Sequence, residues 1–296
     1  MISYSKTELS QALSDCGLQA GDVAYFHTRL FSLGMMKDVR GGDNLCRSVL
    51  DAIFDVIGED GSVVVPTFTT QTQRYGAPFI LEETECITGM FCEFVRKHEG
   101  SVRTLHPLVS VTALGRRKND ICLNVSASGY GYDSPFDRML KMGAKAVNIG
   151  MPFVWNSWMH FLEVVYGVPY LYNKILSVDI RAGGKKLDRE MFCPVRYLDM
   201  GVVYNYEKTD ALLIENDVVE VRPVGSGNVS CVSAKDFCDV VSEGLKRDPY
   251  LFLKNRPEYR PGEIPFDGIT DGRDQLSTEG FYQHLVTDGG DGDSTP

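Results

Sequence analysis

The stretch from Val23 to Pro66 constrains the fold most. Val23-Ala24-Tyr25-Phe26-His27 is a short apolar run that follows a Gly21-Asp22 turn. Gly41-Gly42-Asp43-Asn44 then opens a helix from Leu45 to Ile57, in which Leu45, Val49, Leu50, Ile53, Phe54 and Ile57 recur at helical spacing. Gly58-Glu59-Asp60-Gly61 stops that helix and turns the chain into Ser62-Val63-Val64-Val65-Pro66, a continuous apolar strand. A strand, a crossover helix and a second strand predict parallel pairing. Two polar segments then share one sheet edge: His27 to Gly34 after the first strand and Thr67-Phe68-Thr69-Thr70 after the second. Open α/β sheets carry their chemistry at such edges.

A second strand-to-helix corner lies downstream. Lys145 to Ile149 reads as a buried strand ending at Gly150, and the helix after it is capped by Asn156 or Ser157. His160 falls in the first turn of that helix, with Glu163 three residues on. Positions i and i+3 share a helix face, so the carboxylate can hold the imidazole in one tautomer, as a general base requires. The pair taken alone also suits an ordinary, partly buried histidine beside a solvated glutamate.

The remaining pieces complete an α/β fold. Helices are predicted from Thr7 to Cys16, Gly89 to His98, from Pro135 through Leu140, and from Ala234 to Leu245. Gln71 to Ile87 reads as an irregular flap turning at Tyr75-Gly76-Ala77-Pro78. Ser101 to Gly115 combines Arg103, a His106-Pro107 turn and a strand; His106 is as well suited to bonding a nearby backbone group as to catalysis. Gly129-Tyr130-Gly131-Tyr132-Asp133 is a loop whose tyrosines could line a pocket or pack the loop. Ile175 to Val221 alternates β-like runs with turns and reads as a meander walling one side of the site. The expected architecture is a central mixed sheet with helices on both faces and an antiparallel β meander toward the C-terminal part. Residues 1–260 form one domain, and 261–296 a peripheral extension that composition predicts to be disordered from about Thr287.

Charge and cysteine usage narrow the function. With a formal charge of −10 and no basic block, nucleic-acid binding is not expected. No apolar run reaches membrane-spanning length, and Met1-Ile2-Ser3-Tyr4-Ser5-Lys6 lacks the features of a signal peptide, so a cytoplasmic location is the default expectation. The eight cysteines form no CxxC pair, which argues against a zinc ribbon, a redox motif or a disulfide framework, and no metal is expected.

Several blocks, in order, resemble the aminoglycoside 3-N-acetyltransferase family, an antibiotic acetyltransferase fold distinct from the GNAT fold. They are Gly21-Asp22 through His27-Thr28-Arg29-Leu30 to Leu33-Gly34; Gly41-Gly42; Gly58-Glu59-Asp60-Gly61-Ser62 to Pro66-Thr67-Phe68-Thr69; Arg103-Thr104-Leu105-His106-Pro107 with Ser110 and Gly115; Ser134-Pro135; and Ser157-Trp158-Met159-His160-Phe161-Leu162-Glu163. The resemblance implies acetyl transfer from acetyl-CoA to an amine with both substrates bound together, His160 as general base and Glu163 as its acidic companion. It also implies a cofactor site at His27, Thr28, Arg29, Leu30, Phe31, Leu33, Gly34, Thr67, Phe68, Thr104 and Ser110, with Arg103 as a phosphate partner. Tyr75, Tyr132, Asp133, Trp155, Asn156 and Arg196 are the expected acceptor wall. The protein is expected to act on a small molecule as a monomer or homodimer.

Two departures bear on the acceptor. Family members that modify aminoglycosides carry a run of acids where this chain has Glu190-Met191-Phe192-Cys193-Pro194-Val195-Arg196-Tyr197, and Arg29 stands where a serine is more usual. The expected acceptor is therefore an amino sugar, possibly nucleotide-linked, or another anionic amine. The alternatives are an aminoglycoside antibiotic and, in another class, an inactive relative that binds CoA or a sugar. The presence of both His160 and Glu163 argues against the inactive relative.

Overall fold

The computed structural model describes residues 2–151, 157–197 and 201–258, with only the backbone of Arg74. Trp155, Asn156 and the extension from 261 lie outside the described residues. The main sheet has seven strands, in the order Glu220–Val224, Gly227–Ser233, Lys145–Ile149, Val23–Thr28, Ser62–Pro66, Val111–Gly115, Val102–Arg103. The central three are parallel, with Val23 opposite Ser62 and Thr28 opposite Ile149, and the flanking pairs are antiparallel.

The apolar runs are explained by burial on both faces. Val23 and Tyr25 point into one core and Ala24 and Phe26 into the other; Val64 joins the first, Val63 and Val65 the second. The second core is closed by helix Gly42–Ile57, through Val49, Leu50 and Ile53, together with helices Lys6–Asp15 and Met90–Lys97. Helices Pro135–Lys141, Trp158–Tyr166 and Ala234–Arg247 close the first. The chain therefore leaves strand Val23–Thr28 toward one face and strand Lys145–Ile149 toward the other. Two adjacent parallel strands whose connections diverge in this way open a crevice at their C-terminal ends.

That crevice is pinned at its floor. The Arg29 amide donates to Ile149 O at 2.8 Å, and Ser32 Oγ donates to Gly150 O at 2.6 Å and to Arg29 O at 2.7 Å. Leu30–Leu33 forms a 3-10 turn, because Leu30 and Leu33 drop into the core and the Ser32 and Gly34 amides bond back to Arg29 O and Phe31 O. Leu30 and Phe31 keep the amides that a helical turn leaves without internal partners.

Two segments differ from the sequence-based expectation. Gln71 to Ile87 holds a helix, Thr70–Tyr75, and a strand, Phe79–Ile80, which pairs with Ile180–Ala182 of a hairpin completed by Lys185–Leu187. Within Ile175 to Val221, Leu171–Ile175 pairs with Phe192–Arg196, but Glu207–Glu215 is a helix. Its apolar run, Ala211 to Ile214, is too short for periodicity to separate strand from helix, and Glu207 and Asp210 favour the helix start. Among the described residues no helix is long and apolar enough to cross a membrane.

Gly150 tests the floor of the crevice. It has φ +69°, and a Cβ there would lie 2.3 Å from Ser32 Oγ and 2.5 Å from Arg29 O, whereas Gly183, with φ +56°, has open space around it. Gly150→Ala is expected to cost about 3 kcal/mol in urea unfolding and Gly183→Ala about 1 kcal/mol. Equal costs would contradict the close approach.

Candidate active site

Helix Trp158–Tyr166 begins in the crevice and carries two charged or ionisable groups on its inner side. His160 Nδ1 donates to Glu163 Oε2 at 2.7 Å, and the Tyr170 hydroxyl donates to Glu163 Oε1 at 2.9 Å. The Glu163 side chain has no exposed surface, while that of His160 is 35% exposed. With Nδ1–H committed to the carboxylate, the lone pair falls on Nε2, the nitrogen available to an incoming molecule.

Ser157 caps this helix by position but not by its hydroxyl, which makes no capping bond. Instead Ser157 Oγ shares hydrogen bonds with Tyr25 Oη at 3.1 Å and His27 Nε2 at 3.2 Å. His27 thus belongs to the network anchoring the helix start. Burial pulls its imidazole down to about 4 against the opposing effect of Asn148, and His160 adds to the fall.

Aromatic rings flank the His160 imidazole. The Tyr130 ring centre lies 5.3 Å and that of Tyr204 5.8 Å from His160, and Tyr206 stacks on Tyr204 at 5.9 Å. The Arg196 guanidinium sits 5.9 Å from the Tyr204 ring centre. Burial, with the Glu163 charge adding to it, keeps the Tyr204 hydroxyl neutral; Tyr206 is pushed up to about 12 by burial and Glu163, with Arg196 opposing.

The other expected site residues fall into groups. Arg29 and Phe31 face outward at the crevice edge, Phe31 with 75% of its surface exposed, and Thr28 is half-buried on the strand end. Thr67, Thr104 and Ser110 are buried behind that edge: Thr67 Oγ1 bonds with Ser110 Oγ and Thr112 Oγ1, and Thr104 Oγ1 accepts from the Val111 amide. Phe68 is half-buried against the core. Arg103 is corrected. A phosphate partner needs an outward guanidinium, but that of Arg103 is buried over Phe79 and donates to Leu81 O, Thr84 O, Thr67 O and Ser110 Oγ, so it braces the segment after Phe79. His106 is buried and neutral; its Nδ1 accepts from the Leu108 and Val109 amides and its Nε2 donates to Phe192 O.

Of the expected acceptor wall, Arg196 reaches the site and Tyr132 turns away. Tyr132 is 82% exposed beneath Lys141, and Asp133 pairs with Arg138 through both oxygens. Tyr75 is exposed at the end of its short helix. The ring facing His160 from the glycine-rich loop is Tyr130. Sequence reasoning missed Tyr25, Tyr170, Tyr204 and Tyr206; it named Tyr130 only as one of the loop tyrosines that could line a pocket and Ser157 only as a helix cap and part of a family block. A signal existed for Tyr25, two residues before His27 on one strand face; Tyr170, Tyr204 and Tyr206 arrive by tertiary packing alone. Burial pushes the cysteine thiols up, Cys46 to about 11, so they remain protonated. Among the described residues no three or more His, Cys, Asp or Glu side chains gather as metal ligands would.

Fold and site define an α/β protein with a carboxylate-held histidine at a topological switch point. The structure of AAC-IIIb in binary complex with CoASH has the same fold, with a TM-score of 0.71 at 19% identity over 86% of this chain and 100% of that one. The chain belongs to the aminoglycoside 3-N-acetyltransferase family, whose sequence model matches residues 26–246. Aminoglycoside N(3)-acetyltransferase VII of Streptomyces paromomycinus is 28% identical over 184 residues, 56% of this chain. The SPbeta prophage-derived aminoglycoside N(3')-acetyltransferase-like protein YokD of Bacillus subtilis is 26% identical over 262 residues, 79% of this chain and 91% of its own. The chain spans 62% of the length of the Streptomyces relative.

The buried neutral histidines make stability depend on pH. Burial pulls His106 from 6.5 down to about 4, so between those values the unfolded chain binds the extra proton. Its contribution is complete above about pH 6.5 and is lost as pH falls toward 4. Urea midpoints should therefore fall across this range, and His106→Gln should flatten the slope while lowering the plateau. An unchanged slope in the variant would contradict the assignment.

Proposed function

We propose that the protein is an acetyl-CoA-dependent N-acetyltransferase acting on the amine of a small aminated sugar. The observation that carries this reading is the His160–Glu163 pair, whose Nδ1 bond leaves the Nε2 lone pair for a proton on a side chain that is 35% exposed. An amine attacks only after losing a proton, and a histidine held in one tautomer can accept that proton. Bound acetyl-CoA supplies the acetyl group as a thioester. The segment from Thr28 to Gly34 suits it: Ser32 pins the turn from beneath, leaving Arg29 and Phe31 at its outer surface. Thr67, Thr104, Ser110 and Arg103 support the neighbouring edge from behind.

The names of the relatives favour an aminoglycoside acceptor. A second reading, an amino sugar or other amine bearing an anionic group, is favoured by Arg196. Its guanidinium is half-buried beside Tyr204, and no carboxylate pairs with it among the described residues. The wall it belongs to, Phe192–Arg196, has no acid to attract a polycation.

CoA release should be measured with gentamicin, kanamycin, glucosamine and glucosamine 6-phosphate as acceptors. We expect transfer to at least one of them, and His160→Gln should lower its kcat by about 100-fold or more with acetyl-CoA affinity nearly unchanged. Preference for the phosphorylated sugar, lost in Arg196→Glu, would select the second reading. Release no faster than the acceptor-free control across the panel would reject acetyl transfer to aminated sugars.

A further inference from the structure

We propose that Tyr170 is a positioning residue for the general base, its hydroxyl holding Glu163 so that His160 keeps its proton on Nδ1 and presents Nε2 to the amine. The inference rests on the acetyltransfer reading for its catalytic consequence, and on geometry alone for the positioning.

The backbone brings Tyr170 to this place. Helix Trp158–Tyr166 ends at Gly167, whose left-handed conformation, φ +72°, reverses the chain; the Gly167 and Val168 amides both donate to the Glu163 carbonyl, at 3.0 and 3.1 Å. The reversed chain carries Tyr170 back under the helix to the second carboxylate oxygen of Glu163. Tyr170 is fully buried, with its ring 6.1 Å from Tyr250, so it acts through Glu163 and not on a substrate.

The chemistry asks for such a partner. A carboxylate without exposed surface needs a hydrogen bond at each oxygen, and leaving one unsatisfied favours either its protonation or its rotation toward another donor. Either change releases the imidazole from a fixed tautomer. A lysine or arginine in this place would satisfy the oxygen but offset the negative charge that holds His160. A neutral hydroxyl satisfies it and leaves the charge directed at Nδ1. In the transfer that this reading implies, the amine N–H bond breaks and its proton goes to His160 Nε2. The nitrogen bonds to the acetyl carbon as the thioester C–S bond breaks, and the departing CoA sulfur takes the proton back from Nε2 to leave as the thiol. The Nδ1 proton stays on the ring, and Tyr170 keeps its own.

The test compares wild type, Tyr170→Phe, Glu163→Gln and the double variant. Tyr170→Phe keeps the ring that packs on Tyr250. Long-range proton–nitrogen spectra of histidine-labelled protein, on the alkaline side of the imidazole range, report the tautomer of each of the five histidines, with His160 assigned by its loss in His160→Gln. We expect an Nδ1–H tautomer in wild type and a mixture in Tyr170→Phe. With gentamicin or glucosamine 6-phosphate as acceptor, kcat should fall about tenfold in Tyr170→Phe, with KM for acetyl-CoA within about twofold. In the Glu163→Gln background the same change should add less than about twofold. A wild-type His160 protonated on Nε2, or a folded Tyr170→Phe with the wild-type spectrum, overturns the inference, as does an effect fully additive with Glu163→Gln. Absence of transfer by wild type to every acceptor of the four-member panel rejects the acetyltransfer reading, and the spectra then decide the role of Tyr170 separately.

Discussion

A carboxylate with no exposed surface, bonded at 2.7 Å to a histidine that is partly open to the crevice, sets the terms for the rest of the site. Losing the imidazole would leave a carboxylate without exposed surface short of a charge-assisted hydrogen bond, so the surroundings must keep both members in place. Here the support comes from two directions. Tyr170 satisfies the far oxygen of Glu163, and Ser157 ties the first turn of the helix to Tyr25 and His27 on the neighbouring strand. Tyr130 and Tyr204 flank the imidazole.

The sheet makes this arrangement possible. Because the chain leaves adjacent parallel strands toward opposite faces, the ends of Val23–Thr28 and Lys145–Ile149 diverge. The 3-10 turn after Thr28 and the helix after Ile149 then stand on either side of one opening. Gly150 lets the two strand ends come within bonding distance of Ser32, where a side chain would force them apart. The turn after Thr28, where we propose that acetyl-CoA sits, and His160, the proposed base, are therefore fixed to one framework, which suits a reaction requiring two molecules to meet in one geometry.

Much of this was legible in the sequence, for physical reasons. The parallel core could be read because strands buried on both faces are continuous apolar runs and the crossover helix has a clear period. The pairing of His160 with Glu163 could be read from helical spacing, whereas the role of base came only from the family resemblance. The segment around Glu207–Glu215 could not, since its apolar run is short and its burial depends on the neighbouring helix. Arg103 misled: a basic residue in a polar-looking segment resembles an anion ligand, and only the carbonyls of Leu81, Thr84 and Thr67 around it reveal a brace. Which tyrosine of the glycine-rich loop lies beside His160 was likewise not legible, because it depends on which ring the loop turns inward. Arg196 remains the feature most at odds with an acceptor of many positive charges.

The central claim is that His160 Nε2 takes the proton of the acceptor amine. A crystal structure with CoA and an aminated sugar that the protein acetylates tests it most directly. The account predicts the reacting nitrogen within about 3.2 Å of Nε2, or one water away, with the CoA sulfur on the opposite side of that nitrogen and near the turn after Thr28. A reacting amine held by another side chain, with His160 still bonded to Glu163 and facing neither the amine nor an intervening water, would contradict it.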